Sequence, residues 1–365
     1  MAETDIRHLT LERIYSTYGA TWAEFDGWRL PARFKSIEEE LKILQTDCGV
    51  IDKSFYGRIH ISGDTAQDFL HRMTSAPIND LAVGQRMETV VTTVEGRFVD
   101  WVVVYKPHEE HLTMVTGPGA AGHVIEHLQG YIFFKDDVHF QNTGDSWTLL
   151  QFSGPGAPEV LEETFPLQVA SAENYVFHTT EIAGKPIYLA KANGITGSDY
   201  HLFCPKAVSE QVLLQLRDTR MSWEPVGFTS YDIARIRQGL PRYPNEITDQ
   251  YTLVEAHLDT PLDLNSCFAG QEVIARTINY DKVKQHLCHV EITETLPDVM
   301  EPPLEIFRED QRIGEVTSLS AERIDGIHPG LGYVKTRYLD RTMDVEIEWN
   351  SNRYRAVVRG KTRSW

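Results

Sequence analysis

The sequence has few cysteines and no long apolar run. Its 365 residues include only four cysteines, which are far apart and form no Cys-x-x-Cys pair: Cys48, Cys204, Cys267 and Cys288. Scattered cysteines favour a reducing compartment over a disulfide framework. No stretch approaches the roughly 18 apolar residues of a membrane-spanning helix, and residues 1–11 lack the apolar segment of a signal peptide. We therefore expect a cytoplasmic protein with no membrane partner.

Basic residues are also scarce. Lys and Arg number 35 against 53 Asp and Glu, which gives a formal net charge of −18 at pH 7. A charge of this sign and size repels the phosphate backbone of nucleic acids, so we expect no nucleic-acid partner. A small anion, in contrast, responds to the charges of its own pocket rather than to the net charge.

Short motifs that indicate enzyme chemistry directly are absent from the sequence. There is no GxGxxG, P-loop, HExxH or GxSxG segment. His286, Cys288 and His289 are close in sequence, but alternation along a strand places Cys288 and His289 on opposite faces. No metal-ligand spacing fits this group, and we expect no metal site.

The chain has a globular composition whose pattern changes along its length. Hydrophobic residues make up 41% and charged residues 24%, and at ~150 residues per domain the length corresponds to two or three domains. Two similar series of strands and short helices begin near Ile51 and Trp147, and the tail beyond Val283 contains short strand patterns only. We predict α+β domains at residues 1–145 and 146–282 and a β-rich domain at residues 283–365.

Residues 1–50 are predicted to form a packed N-terminal segment of the first domain. Within it, residues 37–44 predict a helix with one apolar face, capped by Ser36 and by Glu39 at the third helical position. Residues 22–34 contain aromatic residues spaced irregularly among Gly and Pro, and we expect an ordered loop there.

A single carboxylate lies within an apolar strand pattern. The runs 87–94 and 97–105 predict a β-hairpin whose turn contains Gly96, and Asp100 stands in the second run. A carboxylate at this place faces water, a partner or a ligand, because burying it unpaired is costly. From its position alone, a solvent-facing strand residue is the more common outcome.

Two further groups are candidates for function. Cys267 lies in a turn-like stretch where nearby cations could make a thiol reactive, although a buried and inert thiol is the more common case. Arg235, Arg237 and Arg242 cluster within eight residues. Arg235 and Arg242 are seven residues apart, so a continuing helix would place these two on one face, where they could form an anion site. Salt bridges to the many carboxylates of the chain are an equal alternative.

The order of several short segments resembles that of the glycine cleavage T proteins, the tetrahydrofolate-dependent aminomethyltransferases. The matching segments run through nearly the whole chain and include FDGWRLP at 25–31, TDCGVIDKS at 46–54, GITG at 194–197, the helix with Arg235, and GEVTS at 314–318. Each is only moderately specific, but their common order is hard to obtain by accident. The resemblance implies a three-lobed ring of two related α+β (ferredoxin-like) domains and a C-terminal β-barrel, with tetrahydrofolate in the central opening.

The resemblance also assigns roles to individual residues. Asp100 matches the first Asp of the family's Asp-Asp strand motif, with Trp101 in place of the second, and is implied to be the catalytic carboxylate beside the folate nitrogens. Arg235 is implied to help hold a folate or substrate carboxylate. The other implied cofactor-binding residues are Thr116, Asp199 and Tyr200. The implied cofactor is tetrahydrofolate or a derivative such as 5,10-methylenetetrahydrofolate, and the implied protein partner is the lipoyl carrier protein of glycine cleavage.

The chain departs from the family pattern at several positions. Leu202 stands where the family has the Glu that binds the pterin ring, Ile195 replaces a Tyr, and Thr116 replaces an Asn. Cys267 with GQE at 270–272 resembles instead a motif of the YgfZ-type folate-binding proteins that support iron–sulfur enzymes. Two alternatives therefore stay open: a non-catalytic folate-binding protein for iron–sulfur cluster assembly or repair, and a folate-dependent methyltransferase or demethylase.

Overall fold

The computed structural model of the protein describes residues 6–167, 169, 177–258, 262–297 and 300–361. Contacts between Cα atoms divide the chain into two units. The first unit comprises Met1–His71, Pro77–Thr89 and Val102–Tyr231, and the second comprises Arg72–Ala76, Val90–Trp101 and Asp232–Trp365. The domain boundaries predicted after residues 145 and 282 stay predictions.

The N-terminal part of the first unit is a small sheet followed by a capped helix. Its elements are β1 (Arg7–His8), α1 (Glu12–Thr17), β2 (Thr21–Phe25), β3 (Trp28–Arg33) and α2 (Ile37–Thr46). Helix α2 confirms the predicted helix and its cap. The Glu39 N–H donates to Ser36 Oγ at 3.3 Å, and the Ser36 N–H donates to Glu39 Oε2 at 3.1 Å.

The prediction of a loop at residues 22–34 is wrong. Strands β2 and β3 form an antiparallel pair there, and β1 joins β3 in parallel. The turn between β2 and β3 has positive φ at Asp26 (47°) and Gly27 (76°), a geometry that joins two strands directly. The register shifts between Thr21 and Trp22, which leaves Ala32 as an extra residue in β3 and breaks the alternation of that strand.

A first α+β series follows α2. Its elements are β4 (Gly49–Asp52), β5 (Tyr56–Ser62), α3 (Ala66–Met73), β6 (Gln85–Thr92), β7 (Phe98–His108), β8 (His111–Pro118), α4 (Ala121–Gln129) and β9 (His139–Asn142). Five of these strands form a sheet in the order β6-β7-β8-β5-β9. Strands β6 and β7 confirm the predicted hairpin, and Gly96 in its turn has a φ of +71°. The segment Val90–Trp101, which includes this turn, belongs to the second unit.

A second α+β series repeats the alternation of strands and helices. Its elements are β10 (Trp147–Ser153), α5 (Ala157–Thr164), β11 (Phe177–Ile182), β12 (Lys185–Ala192), β13 (Asp199–Pro205), α6 (Ser209–Asp218), β14 (Glu224–Pro225), α7 (Phe228–Arg237) and α8 (Gln271–Asn279). Six strands of the first unit form a sheet in the order β11-β12-β13-β10-β4-β14. Strand β4 therefore pairs with β10, which is about a hundred residues later in the chain.

The C-terminal part of the second unit is a closed barrel. Its strands are β15 (Gln285–Ile292), β16 (Leu304–Arg308), β17 (Gln311–Leu319), β18 (His328–Lys335), β19 (Met343–Trp349) and β20 (Asn352–Lys361), in the order β15-β18-β17-β16-β19-β20. Alternate apolar residues such as Val290 and Ile306 fill it. A Cβ on Gly332 would lie 2.4 Å from the carbonyl oxygen of Glu315, so these strands approach too closely for a side chain at this position.

The observed fold is α+β with a C-terminal β-barrel and confirms the predicted fold class. In the part of the chain that the structure describes, no helix combines the length and the apolar character needed to cross a membrane.

Candidate active site

A carboxylate is buried near the start of strand β7, in the second unit. Asp100 is only 1% exposed, which excludes the solvent-facing position that its strand pattern alone favoured. Its Oδ1 accepts the backbone N–H of Trp101 at 2.8 Å. Phe98 and Trp101 pack in the core of the same unit. Burial disfavours the ionised form of a carboxyl group, so nearby donors decide its protonation state.

Tyr243 lies within electrostatic range of Asp100. Tyr243 is half-buried and packs against the core that contains Phe98. Burial raises the pKa of Tyr243, and the charge of Asp100 raises it further. The phenol therefore stays protonated at neutral pH and presents a hydrogen-bond donor in the neighbourhood of the carboxylate.

Helix α7 and the segment after it bury an arginine. Arg235 is 2% exposed. Its guanidinium donates to Asp232 Oδ1 at 2.7 Å, Glu246 Oε2 at 2.8 Å, Ser318 Oγ at 2.6 Å and the carbonyl oxygen of Leu240 at 3.2 Å. Arg235 thus joins its helix to the following segment and to barrel strand β17, with two carboxylates around its charge.

Glu246 is the centre of the same network. It is fully buried, and its Oε1 accepts the hydroxyls of Thr317 at 2.7 Å and Ser318 at 2.6 Å. Its Oε2 accepts the N–H of Arg242 at 3.0 Å in addition to the bond from Arg235. A buried ion pair is tolerated only when its charged atoms are hydrogen-bonded in this way.

Each of the three arginines that cluster in the sequence lies beside a carboxylate. Asp232 Oδ1, which accepts from Arg235, also lies 3.5 Å from Nε of Arg242. Burial opposes ionisation of Asp232, but Arg235 and Arg242 outweigh it and hold the pKa of this carboxyl below its ordinary value. Arg237 pairs with Asp325. The salt bridges that were the alternative to an anion site are therefore present.

The other predicted cofactor-binding residues lie in the first unit. Thr116 on β8 is buried, and its hydroxyl donates to the carbonyl oxygen of Gly117 at 3.2 Å. Asp199 at the start of β13 is fully buried and holds the turn before it. Its Oδ2 accepts the N–H groups of Thr196 at 3.0 Å and Gly197 at 2.9 Å, and its Oδ1 accepts from two side chains of β10.

Strand β13 presents alternate residues to two faces of its sheet. Tyr200 and Leu202 share one face. Burial raises the pKa of Tyr200, and carboxylates of helix α5 raise it further, so this face lies toward α5. His201 lies on the opposite face, where its Nδ1 is 3.1 Å from the hydroxyl of Tyr105. Leu202, expected at the place of the pterin-binding Glu, is fully buried on the helix-covered face.

The sequence matches the family model of the GCVT N-terminal domain over residues 11–266, which is well over half of the chain. The chain belongs to this family. The resemblance to the glycine cleavage T proteins is thereby confirmed. The match contains five of the six predicted site residues: Asp100, Thr116, Asp199, Tyr200 and Arg235.

Similarity to individual proteins extends over most or all of the chain. It is 25% identical over 360 residues to an aminomethyltransferase of Geobacillus sp. (strain WCH70), which covers 97% of each chain. It is 28% identical over 308 residues to a chloroplastic protein of Arabidopsis thaliana whose name gives it provisionally as a transferase, covering 83% of this chain and 68% of that protein. The crystal structure of the glycine cleavage system aminomethyltransferase T from Bartonella henselae has a TM-score of 0.83 at 19% identity and covers 97% of each chain. This likeness confirms the fold.

Cys267 lies one residue beyond the range that matches the GCVT family. Its thiol is exposed, so the more common outcome of a buried thiol is not found. The stretch around it is anchored because Phe268 is buried and the hydroxyl of Thr92 donates to the carbonyl oxygen of Ala269 at 2.6 Å. The iron–sulfur role suggested by the cysteine motif stays a prediction.

The sequence analysis missed three residues around Asp100 and Arg235: Tyr243, Asp232 and Glu246. Asp232 could have been found, since it precedes Arg235 by three residues on a helix, a spacing at which opposite charges meet. Tyr243 and Glu246 lie in a segment without helix or strand. No periodic pattern connects them with Asp100 or Arg235.

Proposed function

We propose that the protein is a tetrahydrofolate-dependent one-carbon transferase of the aminomethyltransferase type. The observation that carries the proposal is Asp100, a carboxylate that is 1% exposed and lies within electrostatic range of Tyr243 in a member of the GCVT family. Relatives named as aminomethyltransferases support it, because they match over 97% and 96% of the chain.

A buried carboxylate beside a protonated phenol fits a reaction at the folate nitrogens. When bound, tetrahydrofolate supplies the nitrogen nucleophile that takes up the one-carbon unit. Asp100 orients the reacting amine, relays its proton and offsets the positive charge that develops there. Tyr243 stays a donor in this environment and does not compete with Asp100 as a base.

We propose indirect roles for two of the other candidates. The guanidinium of Arg235 is paired with two carboxylates. Arg235 therefore positions the segment that carries Tyr243 and supports ligand binding indirectly, without contacting the ligand. Asp199 shapes the turn before β13 in the same indirect sense. Thr116 and Tyr200 stay predicted cofactor-binding residues.

The proposed donor is the aminomethyl group on the lipoyl carrier protein of the glycine cleavage system. Transfer of its methylene carbon to tetrahydrofolate forms 5,10-methylenetetrahydrofolate, releases ammonia and leaves the lipoyl group in its dithiol form. This stoichiometry gives the reaction two independent readouts, ammonia and the folate product.

The experiment combines binding and turnover. Calorimetric titration with tetrahydrofolate and 5-formyltetrahydrofolate measures binding, and ammonia release from aminomethyl-loaded carrier protein measures the reaction. We expect Asp100→Asn to lower kcat by about 10²–10⁴-fold, the usual contribution of a positioned proton-transfer group, with folate affinity nearly unchanged. Asp325→Asn, at an exposed carboxylate of the second unit, is the matched control. The proposal is wrong if the wild-type protein does not bind folate, or if Asp100→Asn keeps full activity.

A further inference from the structure

The first unit buries a lysine that has no carboxylate partner. Lys53 follows strand β4 and is 7% exposed. Among the described residues, no hydrogen-bond or ion-pair partner of its ammonium is found. Its Nζ lies instead over the rings of Tyr56, at 4.0 Å from the centroid, and Tyr231, at 5.2 Å. Ring faces attract a cation but do not neutralise it, so a ligand carboxylate could pair with this ammonium.

His201 on the neighbouring strand also has an unused polar atom. It is 6% exposed, and its Nδ1 lies 3.1 Å from the hydroxyl of Tyr105. Its Nε2 is buried and has no hydrogen-bond partner among the described residues. Burial lowers the pKa of His201 well below its ordinary value, and Lys53 and Arg86 lower it further, so the ring is neutral. If Tyr105 donates to Nδ1, the proton is on Nε2 and faces no acceptor.

The sheet register places the two side chains on one face. The N–H of Lys53 donates to the carbonyl oxygen of Leu149 at 2.8 Å, Leu149 is opposite Phe203, and His201 is two residues from Phe203 on the same strand. Residues opposite one another, and residues two apart along a strand, point to the same side of a sheet. Lys53 is also close enough to His201 to act on it electrostatically.

The charges around this face do not cancel. Arg86 is buried and pairs with Glu88 at 3.0 Å. Of the two cations that act on His201, Arg86 thus has a carboxylate partner, and none is found for Lys53 among the described residues.

We propose that Lys53 Nζ and His201 Nε2 hold a carboxylate of a ligand, with the rings of Tyr56 and Tyr231 packed beside it. The carboxylate comes either from the glutamate end of a folate or from a separate small carboxylic acid. The inference rests on the proposed function only for the choice of folate as one probe. It assigns this face of the first unit to an anion, whereas Asp100 in the second unit serves a reacting amine.

Calorimetric titration with three probes tests the assignment. The probes are acetate, 5-formyltetrahydrofolate, and 6-methyltetrahydropterin, which has no carboxylate. Replacing Lys53 with Met keeps an unbranched side chain of nearly the same length and removes the charge, and Lys53→Arg keeps the charge. Lys42→Met, at an exposed position of α2, is the control. We expect Lys53→Met to weaken binding of the carboxylate probe about 10- to 100-fold, as for a lost charged hydrogen bond. Lys53→Arg should restore part of this affinity.

The probe that responds identifies the source of the carboxylate. Weaker acetate binding with unchanged folate binding indicates a separate carboxylic acid. Weaker 5-formyltetrahydrofolate binding with unchanged 6-methyltetrahydropterin binding indicates the folate tail. The proposal is overturned if Lys53→Met changes the affinity of neither carboxylate probe, or if it weakens the binding of 6-methyltetrahydropterin by the same factor.

The same titrations separate this proposal from the proposed function. If the wild-type protein binds no folate but binds acetate through Lys53, the transferase proposal is wrong and the carboxylate site is supported. A protein that turns over folate, but in which neither carboxylate probe responds to Lys53→Met, has the opposite outcome. Nitrogen-15 NMR of the His201 ring gives a readout independent of activity. We expect the proton on Nε2 and a shift of that resonance on adding acetate, and a proton on Nδ1 would contradict the proposal.

Discussion

Arg235 in the second unit and Lys53 in the first unit are both buried cations, and they have different surroundings. Arg235 in the second unit donates to Asp232 and Glu246, so its charge is matched within the protein. Lys53 in the first unit has two tyrosine rings and no carboxylate. A matched buried cation stabilises the native structure, whereas an unmatched one is a candidate for contact with a ligand. Burial alone therefore does not separate structural from functional charges, but the partner set does.

The largest expected effect is on the matched cation. Arg235→Met leaves Glu246 and Asp232 without their common partner, and breaking a buried pair from one side costs about 3–5 kcal/mol. We expect the free energy of unfolding in denaturant to fall by that amount. Arg237→Met removes a more exposed pair with Asp325 and should cost at most about 1 kcal/mol. Equal losses in the two variants would contradict the structural role of Arg235.

Lys53→Met should change stability much less than Arg235→Met. It breaks no ion pair found among the described residues and removes only the cation–ring contacts with Tyr56 and Tyr231, so we expect the ligand-free protein to change by at most about 1–2 kcal/mol. Denaturant unfolding of the wild type and of Lys53→Met, both without ligand, measures the difference. A loss of stability comparable to that of Arg235→Met would show that Lys53 is a structural cation like Arg235.

A smaller, pH-dependent effect is expected at His201. The unfolded histidine takes up a proton below its ordinary pKa of 6.5, while burial and Lys53 keep the folded ring neutral. The unfolded state therefore binds more protons in this range, and stability falls as the pH falls below about 6.5. This group contributes about 1.4 kcal/mol per pH unit until the lower folded pKa is reached.

Unfolding measured between pH 7 and pH 5 tests this sign, with the pH limits chosen on either side of the ordinary histidine pKa of about 6.5. His201→Leu should flatten the pH dependence, and His139→Leu, at an exposed position of β9, should leave it unchanged. A slope that steepens in His201→Leu would show that the folded ring carries a proton and that Lys53 does not act on it.

The smallest effect is expected at Cys267. Its thiol is exposed, and surface substitutions of this kind usually change stability by no more than about 0.5 kcal/mol. Cys267→Ala should therefore keep folate binding, turnover and unfolding at wild-type values. Loss of folate-dependent turnover in this variant would show that Cys267 takes part in the function.

Local patterns in the sequence predicted the elements whose stabilising contacts are local. The helix at residues 37–44, its Ser36 and Glu39 cap, the hairpin around Gly96 and the strand-rich tail were all found. The N-terminal sheet was missed, because a register shift after Thr21 broke the alternation on which a strand prediction depends.

The site was harder to predict because its partners are distant in sequence. The position of Lys53 depends on β4 pairing with β10, and nothing in the apolar segment around it shows that the ammonium lacks a carboxylate. His201 was overlooked in favour of Leu202, its neighbour, and a shift of one residue along a strand exchanges one face of the sheet for the other. Asp100 was identified through the family resemblance, and its burial became evident only in the structure.

The most direct test of the account is ammonia release from the aminomethyl-loaded lipoyl carrier protein, measured with and without tetrahydrofolate. The account predicts rapid release by the wild-type protein only when tetrahydrofolate is present, an equal rate in Asp325→Asn, and loss of the folate-dependent rate in Asp100→Asn. Release that does not depend on tetrahydrofolate, or that survives in Asp100→Asn, would contradict it.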